Sequence, residues 1–472
     1  MSSAGSRRPR RPGSPRRIKK KPSWTRALRT ALGLLACAIA ALVYQNALDA
    51  PFLFDDRQTI VLNPSLVGGW DLGAMLLRNS VRPALNLSYV IDSATWGISS
   101  FGFHVTSVVL HIAAVGLFYG WCTRALVDAR PDKALTPEWP AFFAATTLAV
   151  HPVMAGAVLY LSARSELLAA IGVLACLTYA RRAIVVSSRL SAILSGAFGV
   201  MAIASSSSAA VLPILALAYD AWILRDKGWR RRATRIYAPA MTTVLIAAAV
   251  QVPGLLRAAR IPPRGMATHL LSQGGVLLRY LGLLVAPRRQ AIVHDVRWAS
   301  SLLDPVAILL FIGAAGLIVL AVRQRHARPL VAFGVLWFVG VLAPTMILPV
   351  RDALAEHRLY VASQGLLLAT AWALEPALAR RRVVRFAGAL TVAVLVTITY
   401  QRNRVWLDPM QLWEEAVERA PEAWQAHLGL ADLLREAHRC DRARPEYREV
   451  LRLYPDNQAA LAGLDACPGP RP

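Results

Sequence analysis

Asp55 and Asp56 stand side by side a few residues beyond the first long apolar stretch, in Phe52-Leu53-Phe54-Asp55-Asp56-Arg57. Adjacent carboxylates repel one another, and apolar surroundings make each harder to ionise, so one can be held ready to accept a proton. Such a pair serves as a general base or grips a divalent cation. In a solvated turn the same two residues would only keep a helix end out of lipid. No grouping of His, Asp, Glu or Cys elsewhere has the spacing of a metal site. Cys37, Cys122 and Cys176 fall in apolar stretches and read as packing residues. Cys440 and Cys467 lie in a charged C-terminal segment and could pair in a disulfide if that segment is extracytoplasmic.

The elements that must position these residues are membrane spans. The chain has 472 residues, and its 56% hydrophobic content is gathered into blocks rather than spread evenly. The blocks run to roughly 16–22 residues, the length that crosses a bilayer core. A net charge of +25 would suggest a nucleic-acid partner in a soluble chain. Here the arginines fill short loops between apolar blocks, which makes them topology signals and leaves no reason to expect nucleic acid. The basic stretch from Arg7-Arg8 to Lys19-Lys20-Lys21 flanks the first block, about Ala27 to Leu48, which reads as a retained signal anchor.

Further apolar blocks lie at 104–123, 138–154, 164–180, 189–205, 208–224, 236–254, 268–286, 303–322, 329–348, 359–378 and 384–400. Placing all the Arg-rich loops in the cytoplasm requires that one block does not cross. Block 268–286, interrupted by Gln273-Gly274-Gly275 and carrying Arg279, is the expected interfacial or re-entrant segment. About eleven spans result, with the N-terminus inside and the C-terminus outside. The loop 49–103, Ser162 to Glu166, the loop 287–302, Val350 to Arg358 and the tail then share one outer compartment.

The tail from about Gln401 is charged and amphipathic. Pro421 and Pro455 are 34 residues apart, each preceded by a similar aromatic-containing helix (Leu412-Trp413-Glu414 and Glu446-Tyr447-Arg448). That period is the tetratricopeptide signature. Leu430, Ala431, Leu434, Ala443, Tyr447 and Pro455 fill its packing positions, and His438 takes the place of the usual turn glycine. One full repeat with partial neighbours is short of the roughly three that stand alone, so the tail is expected to dock on the membrane domain or a partner.

The motifs Phe54-Asp55-Asp56, Arg82-Pro83, Trp96-Gly97, Gly102-Phe103-His104, Val150-His151-Pro152, Arg164-Ser165-Glu166, Glu356-His357-Arg358 and Arg404-Val405-Trp406 follow in order. Together with the repeats, this order resembles the transmembrane and tetratricopeptide-repeat-containing O-mannosyltransferases and their bacterial relatives. The resemblance runs from about residue 40 to the end. It implies an all-α polytopic fold of the GT-C glycosyltransferase type, with about 11 transmembrane helices and a short tetratricopeptide-like tail. Residues 1–26 would be a basic cytoplasmic tail, 27–400 the transmembrane domain and 401–472 the repeats. The activity implied is transfer of a sugar, mannose or another hexose, from a polyprenyl-phosphate carrier to an acceptor at the outer membrane face.

That chemistry needs a carboxylate to take the acceptor proton and cations to receive the departing phosphate. Asp55 or Asp56 would be the base, and the pair is also where a divalent metal ion would bind. Arg358, at the outer end of a span, would meet the phosphate unless it merely snorkels to the interface. Arg164 would be a second clamp, with a structural contact to Glu166 as the rival account. Arg82, His104, Glu166 and Glu356 complete the expected substrate-binding set. His111 reads as packing, and His294-Asp295 as a further candidate pair.

Two positions depart from the family pattern: Ser206-Ser207 replaces a Lys-Glu pair, and Gly156 replaces a Glu after the His-Pro motif. These losses also fit a non-catalytic membrane scaffold. A transporter is the weaker reading, because charges within the spans are few. The repeats are expected to recruit a protein acceptor, membrane lipids to surround the spans, and the Ala- and Arg-rich composition to suit a bacterial inner membrane.

Overall fold

The structure is a computed structural model and describes residues 23–66, 81–130, 136–225, 228–258, 265–349 and 352–467. The basic stretch 1–22 and part of the first loop lie outside these. Every regular element among the described residues is helical. Among the described residues eight helices are long and apolar enough to cross a membrane, beginning with Arg26–Ala47 and Ser100–Ala129 and ending with Arg382–Leu407. The pair Glu138–Val150 and Pro152–Leu159, bent by 52°, makes a ninth if counted as one span. The sequence expectation of about eleven also counted Arg189–Ser205 and Leu359–Arg380, both of which are helices here. The protein is an integral membrane protein.

Block 268–286 is not among the helices long and apolar enough to cross, but the expected break within it is absent. Gln273-Gly274-Gly275 does not interrupt it: Met266–Val285 is one continuous helix. A Cβ added to Gly274 would come within 2.4 Å of Phe311 Cα, so the glycine lets this helix lie against Pro305–Arg323. Small residues do the same for Pro329–Ile347 and Leu359–Arg380. A Cβ on Gly334 would meet the Gly365 carbonyl oxygen at 2.2 Å, so the two backbones touch. Close approach of this kind is what drives helix association where lipid competes with apolar side chains.

Helix ends follow ordinary chemistry. Asp304 accepts hydrogen bonds from the amides of Val306 and Ala307 at 3.1 Å and starts Pro305–Arg323. Asp408 caps Pro409–Arg419 through the amides of Met410 and Gln411. At one end of the bundle Arg130 pairs with Glu375 at 2.5 Å, and Arg181 with Asp128. The loops that carry the acidic pair lie at the other end.

The tail forms four helices, Pro409–Arg419, Trp424–Glu436, Cys440–Leu453 and Gln458–Ala466. Leu430, Ala431, Leu434, Ala443 and Tyr447 are buried between them. His438 has φ +57°, the left-handed conformation that glycine normally supplies at this turn. A disulfide joins Cys440 to Cys467 across 27 residues with a Cα separation of 5.4 Å. The tail also docks on the membrane domain. Val293 belongs to its core, and Phe54 and Ile292 pack against that core.

Candidate active site at one end of the bundle

The break between Glu138–Val150 and the short helix Ala155–Leu159, followed by a second break at Tyr160, brings residues 156–162 beneath the first loop. Pro152 cannot continue the preceding helix, and the residue before it, His151, is extended at φ −74° and ψ 124°. Around these breaks lies a cavity of about 140 Å³. Asp55, Tyr160, Arg82, Arg358, Glu356 and Trp406 line it, and Gly156, Ser162, Asp352 and His357 join them. Ile292 lines it as well, so the cavity gathers residues from six separate stretches of chain.

The two adjacent carboxylates have different surroundings. Asp55 lines the cavity, and its Oδ2 accepts a hydrogen bond of 2.9 Å from the Tyr160 hydroxyl. Asp56 is fully buried. Its Oδ1 accepts from the Ser162 amide at 2.7 Å and the Ser162 hydroxyl at 2.6 Å, and its Oδ2 from the Leu53 amide at 3.1 Å. Burial pushes the Asp56 carboxyl up to about 7, against the donors at Ser162 and Leu53, which favour the anion. The divergence begins at Phe54, whose φ of +49° turns the chain before the pair. For a bulky L residue that conformation costs about 1–2 kcal/mol.

This arrangement does not suit a metal held jointly by the pair. Both oxygens of the Asp56 carboxylate are already taken by three donors from Ser162 and Leu53. Among the described residues no group of three or more His, Cys, Asp or Glu is placed to hold a metal ion.

Of the residues expected to bind substrate, Arg82, Glu356 and Arg358 reach the cavity. Arg358 donates from Nη1 to the Asp352 carbonyl at 2.7 Å, which fixes its guanidinium. Glu356 Oε1 accepts from the Ala291 amide at 2.8 Å and bonds His294 Nε2 at 2.9 Å. His294, from the candidate pair His294-Asp295, thus finds its partner 62 residues away, and Asp295 instead accepts from the Glu422 amide in the tail. His357 also lines the cavity. Burial, with Arg358 and Arg82 nearby, holds its imidazole well below the usual range, so it is neutral.

Three expected residues lie elsewhere. Arg164 is fully buried and does not line the cavity. It donates to Asp92 at 2.5 Å, the Phe103 carbonyl at 2.7 Å and Ser107 at 3.0 Å, and its guanidinium lies over the rings of Tyr89 and Phe103. Neither the phosphate clamp nor the contact with Glu166 describes it: Arg164 ties Pro83–Trp96 to Ser100–Ala129 through Asp92. His104 is buried with Nδ1 against the Ser100 carbonyl at 2.9 Å and Nε2 against the Leu159 carbonyl at 3.1 Å. Glu166 is buried beside Ser206, whose hydroxyl donates to Oε1 at 2.9 Å, while Oε2 has no hydrogen-bond partner among the described residues. His111 bonds the Tyr360 hydroxyl and the Ala149 carbonyl, in keeping with a packing role.

Both departures from the family pattern are visible here. Ser206 supplies one short donor to Glu166 where a lysine would bring a charge. A Cβ built on Gly156 would meet nothing closer than the His357 amide nitrogen at 3.8 Å. The missing side chain is therefore not a steric requirement; its absence leaves space beside Glu356 and Trp406.

Tyr160 and the indole of Trp406 are site groups that sequence reasoning missed, and outside the cavity it missed Asp92 as the partner of Arg164. Trp406 is buried, lines the cavity, and its Nε1 has no hydrogen-bond partner among the described residues. The available signals were a tyrosine just before the Leu161-Ser162-Ala163 break and a lone carboxylate, Asp92, in an apolar helix.

A helical membrane protein with acidic side chains, two arginines and a neutral histidine around one cavity is the class that fold and site define. The chain is similar over most of its length to curated protein O-mannosyl-transferases of the TMTC kind. F38B6.6 of Caenorhabditis elegans is 23% identical, over 93% of this chain and 65% of that protein. TMTC1 of Homo sapiens is 23% identical, over 92% of this chain and 56% of that protein. Tmtc1 of Drosophila melanogaster is 31% identical over 34% of this chain and 20% of its own length. The chain spans less than two thirds of the length of these relatives. Among solved structures, ArnT from Cupriavidus metallidurans bound to undecaprenyl phosphate aligns with 93% of this chain and 78% of its own, at a TM-score of 0.42 and 15% identity. No family model matches the sequence.

Proposed function

We propose that the protein is a membrane glycosyltransferase of the GT-C type that moves a hexose, mannose in the first instance, from a polyprenyl-phosphate carrier to a protein acceptor. The observation that carries this reading is the cavity in which Asp55 shares the walls with Arg82 and Arg358. Asp55 is the base. Held by the Tyr160 hydroxyl, it takes the proton of an acceptor hydroxyl as that oxygen attacks the anomeric carbon. The bond between that carbon and the phosphate oxygen breaks, and the phosphate leaves as an anion. Arg82 and Arg358 stabilise it, so no acid is needed at the leaving group. Asp56 does not react; it anchors the loop through Ser162 and Leu53.

The cavity end faces the outer compartment, and the C-terminal repeats lie there too. The Cys440–Cys467 disulfide supports this orientation, because such bonds persist where the surroundings are oxidising. The Arg-rich loops at the opposite end support it from the other side. The location that suits these features is a bacterial inner membrane with the repeats in the periplasm, where they recruit the acceptor.

The test is transfer by the full chain in lipid nanodiscs, supplied with polyprenyl-phosphate mannose and periplasmic proteins. A gain of one hexose on an acceptor protein, read by mass, is the expected result. The second reading, a non-catalytic scaffold, draws on Ser206 and Gly156, and no transfer with any lipid-linked hexose would establish it in place of the first.

A further inference from the structure

The repeats touch the loop that carries Asp55, and the contact is made at its most constrained residue. Phe54 is the left-handed residue immediately before Asp55. Its ring packs edge-on against Trp413 at 5.4 Å and, tilted by 38°, against Tyr160 at 6.2 Å. Tyr160 in turn donates to Asp55. Trp413 belongs to the first tail helix, and its own position is fixed from within the tail. A Cβ on Gly429 would come within 2.5 Å of the indole, so only glycine leaves room for the ring there. Arg57, two residues beyond Asp55, adds a pair with Glu436 at 2.5 Å.

A backbone in a sparsely populated conformation persists only when its surroundings hold it. Here one wall of that support comes from the tail. We propose that Trp413 is a positioning residue for Asp55, so that the repeat tail completes the transfer site as well as recruiting the acceptor. This inference rests on the reading of Asp55 as the base. It differs from acceptor recruitment in its kinetic consequence. A recruiting surface changes the KM for a protein acceptor, whereas a wall that aims the base changes kcat for every acceptor, including a short peptide that cannot span the repeats.

The experiment uses the full chain in nanodiscs with polyprenyl-phosphate mannose and a short Ser/Thr peptide. Hydrogen exchange at the amides of Asp56, Gln58 and Thr59 is measured on the same preparations. Trp413→Ala is expected to lower kcat at least ten-fold with KM values within two-fold of wild type, and to speed exchange at these three amides. Trp413→Phe should restore most of both. Gly429→Ala, which crowds the indole from the tail side, should repeat the loss without altering the membrane domain. Wild-type kcat in Trp413→Ala, a loss confined to KM, or unchanged exchange would overturn the proposal. A wild-type chain that transfers nothing yet shows Trp413-dependent exchange would remove the function and keep the positioning.

Discussion

Ser162 gives both its amide and its hydroxyl to Asp56, at 2.7 and 2.6 Å. That pair of hydrogen bonds to one carboxylate oxygen separates two residues that are chemically identical and adjacent. Asp56 is drawn inward and held, and Asp55 is left at the cavity wall with Tyr160. The loop uses one carboxylate as an anchor and leaves the other facing the cavity.

Arg164 is read here as a structural tie and not as a phosphate clamp. Removing one partner of a buried ion pair strands the other charge and typically costs about 3–5 kcal/mol. Arg164→Ala and Asp92→Ala should each lower thermal stability by that order, and the double variant should lose less than their sum. A clamp would instead leave stability near wild type and raise the donor KM, which kinetics on the folded variants would detect.

The Cys440–Cys467 disulfide closes a 27-residue loop across the last two tail helices. Loop entropy alone gives such a bond about 3.5 kcal/mol. Reduction, or Cys440→Ser with Cys467→Ser, should therefore lower the denaturation midpoint of the tail and leave that of the spans unchanged. Equal midpoints with and without reductant would contradict it.

His427 supplies a pH dependence with a definite sign. Burial is the largest single influence and works against its charge, but the hydrogen bond to Glu446 at 2.6 Å, the contact with the Pro421 carbonyl and the nearby charges of Glu446 and Glu449 together outweigh it and raise the pKa above the ordinary histidine value. The folded tail thus binds this proton more tightly than the unfolded chain. Its contribution is complete below about pH 6.5 and is lost as pH rises through the folded pKa. Tail stability followed from pH 6 to 9 should fall, and His427→Gln should flatten that slope.

Much of this architecture is legible in the sequence, because apolar length and loop charge are local properties. The helical blocks, the 34-residue period and the acidic pair all come from reading along the chain. His438 was even recognisable as occupying a glycine position, and it adopts the left-handed conformation expected there. Pairings across the fold were not legible. Arg164 lies 72 residues from Asp92, and Glu356 lies 62 from His294, with no pattern linking either couple. The choice between Asp55 and Asp56 was likewise hidden, since it depends on the backbone turn at Phe54 and on Ser162 folding back beneath it. Gln273-Gly274-Gly275 misled for a related reason. Glycines that break an isolated helix are here the surface on which a neighbouring helix lies.

The central claim is the division of labour between the two aspartates, and conservative substitution at each tests it most directly. Wild type, Asp55→Asn and Asp56→Asn would be purified in nanodiscs and compared for hexose transfer from polyprenyl-phosphate mannose and for thermal unfolding. Loss of a general base should cut transfer by about 10²–10⁴-fold in Asp55→Asn, with its melting temperature near wild type. Asp56→Asn should melt lower, because an amide cannot accept from all three donors, and the fraction still folded should retain measurable transfer. Transfer that survives in Asp55→Asn, or that disappears only in a fully folded Asp56→Asn, would contradict the assignment.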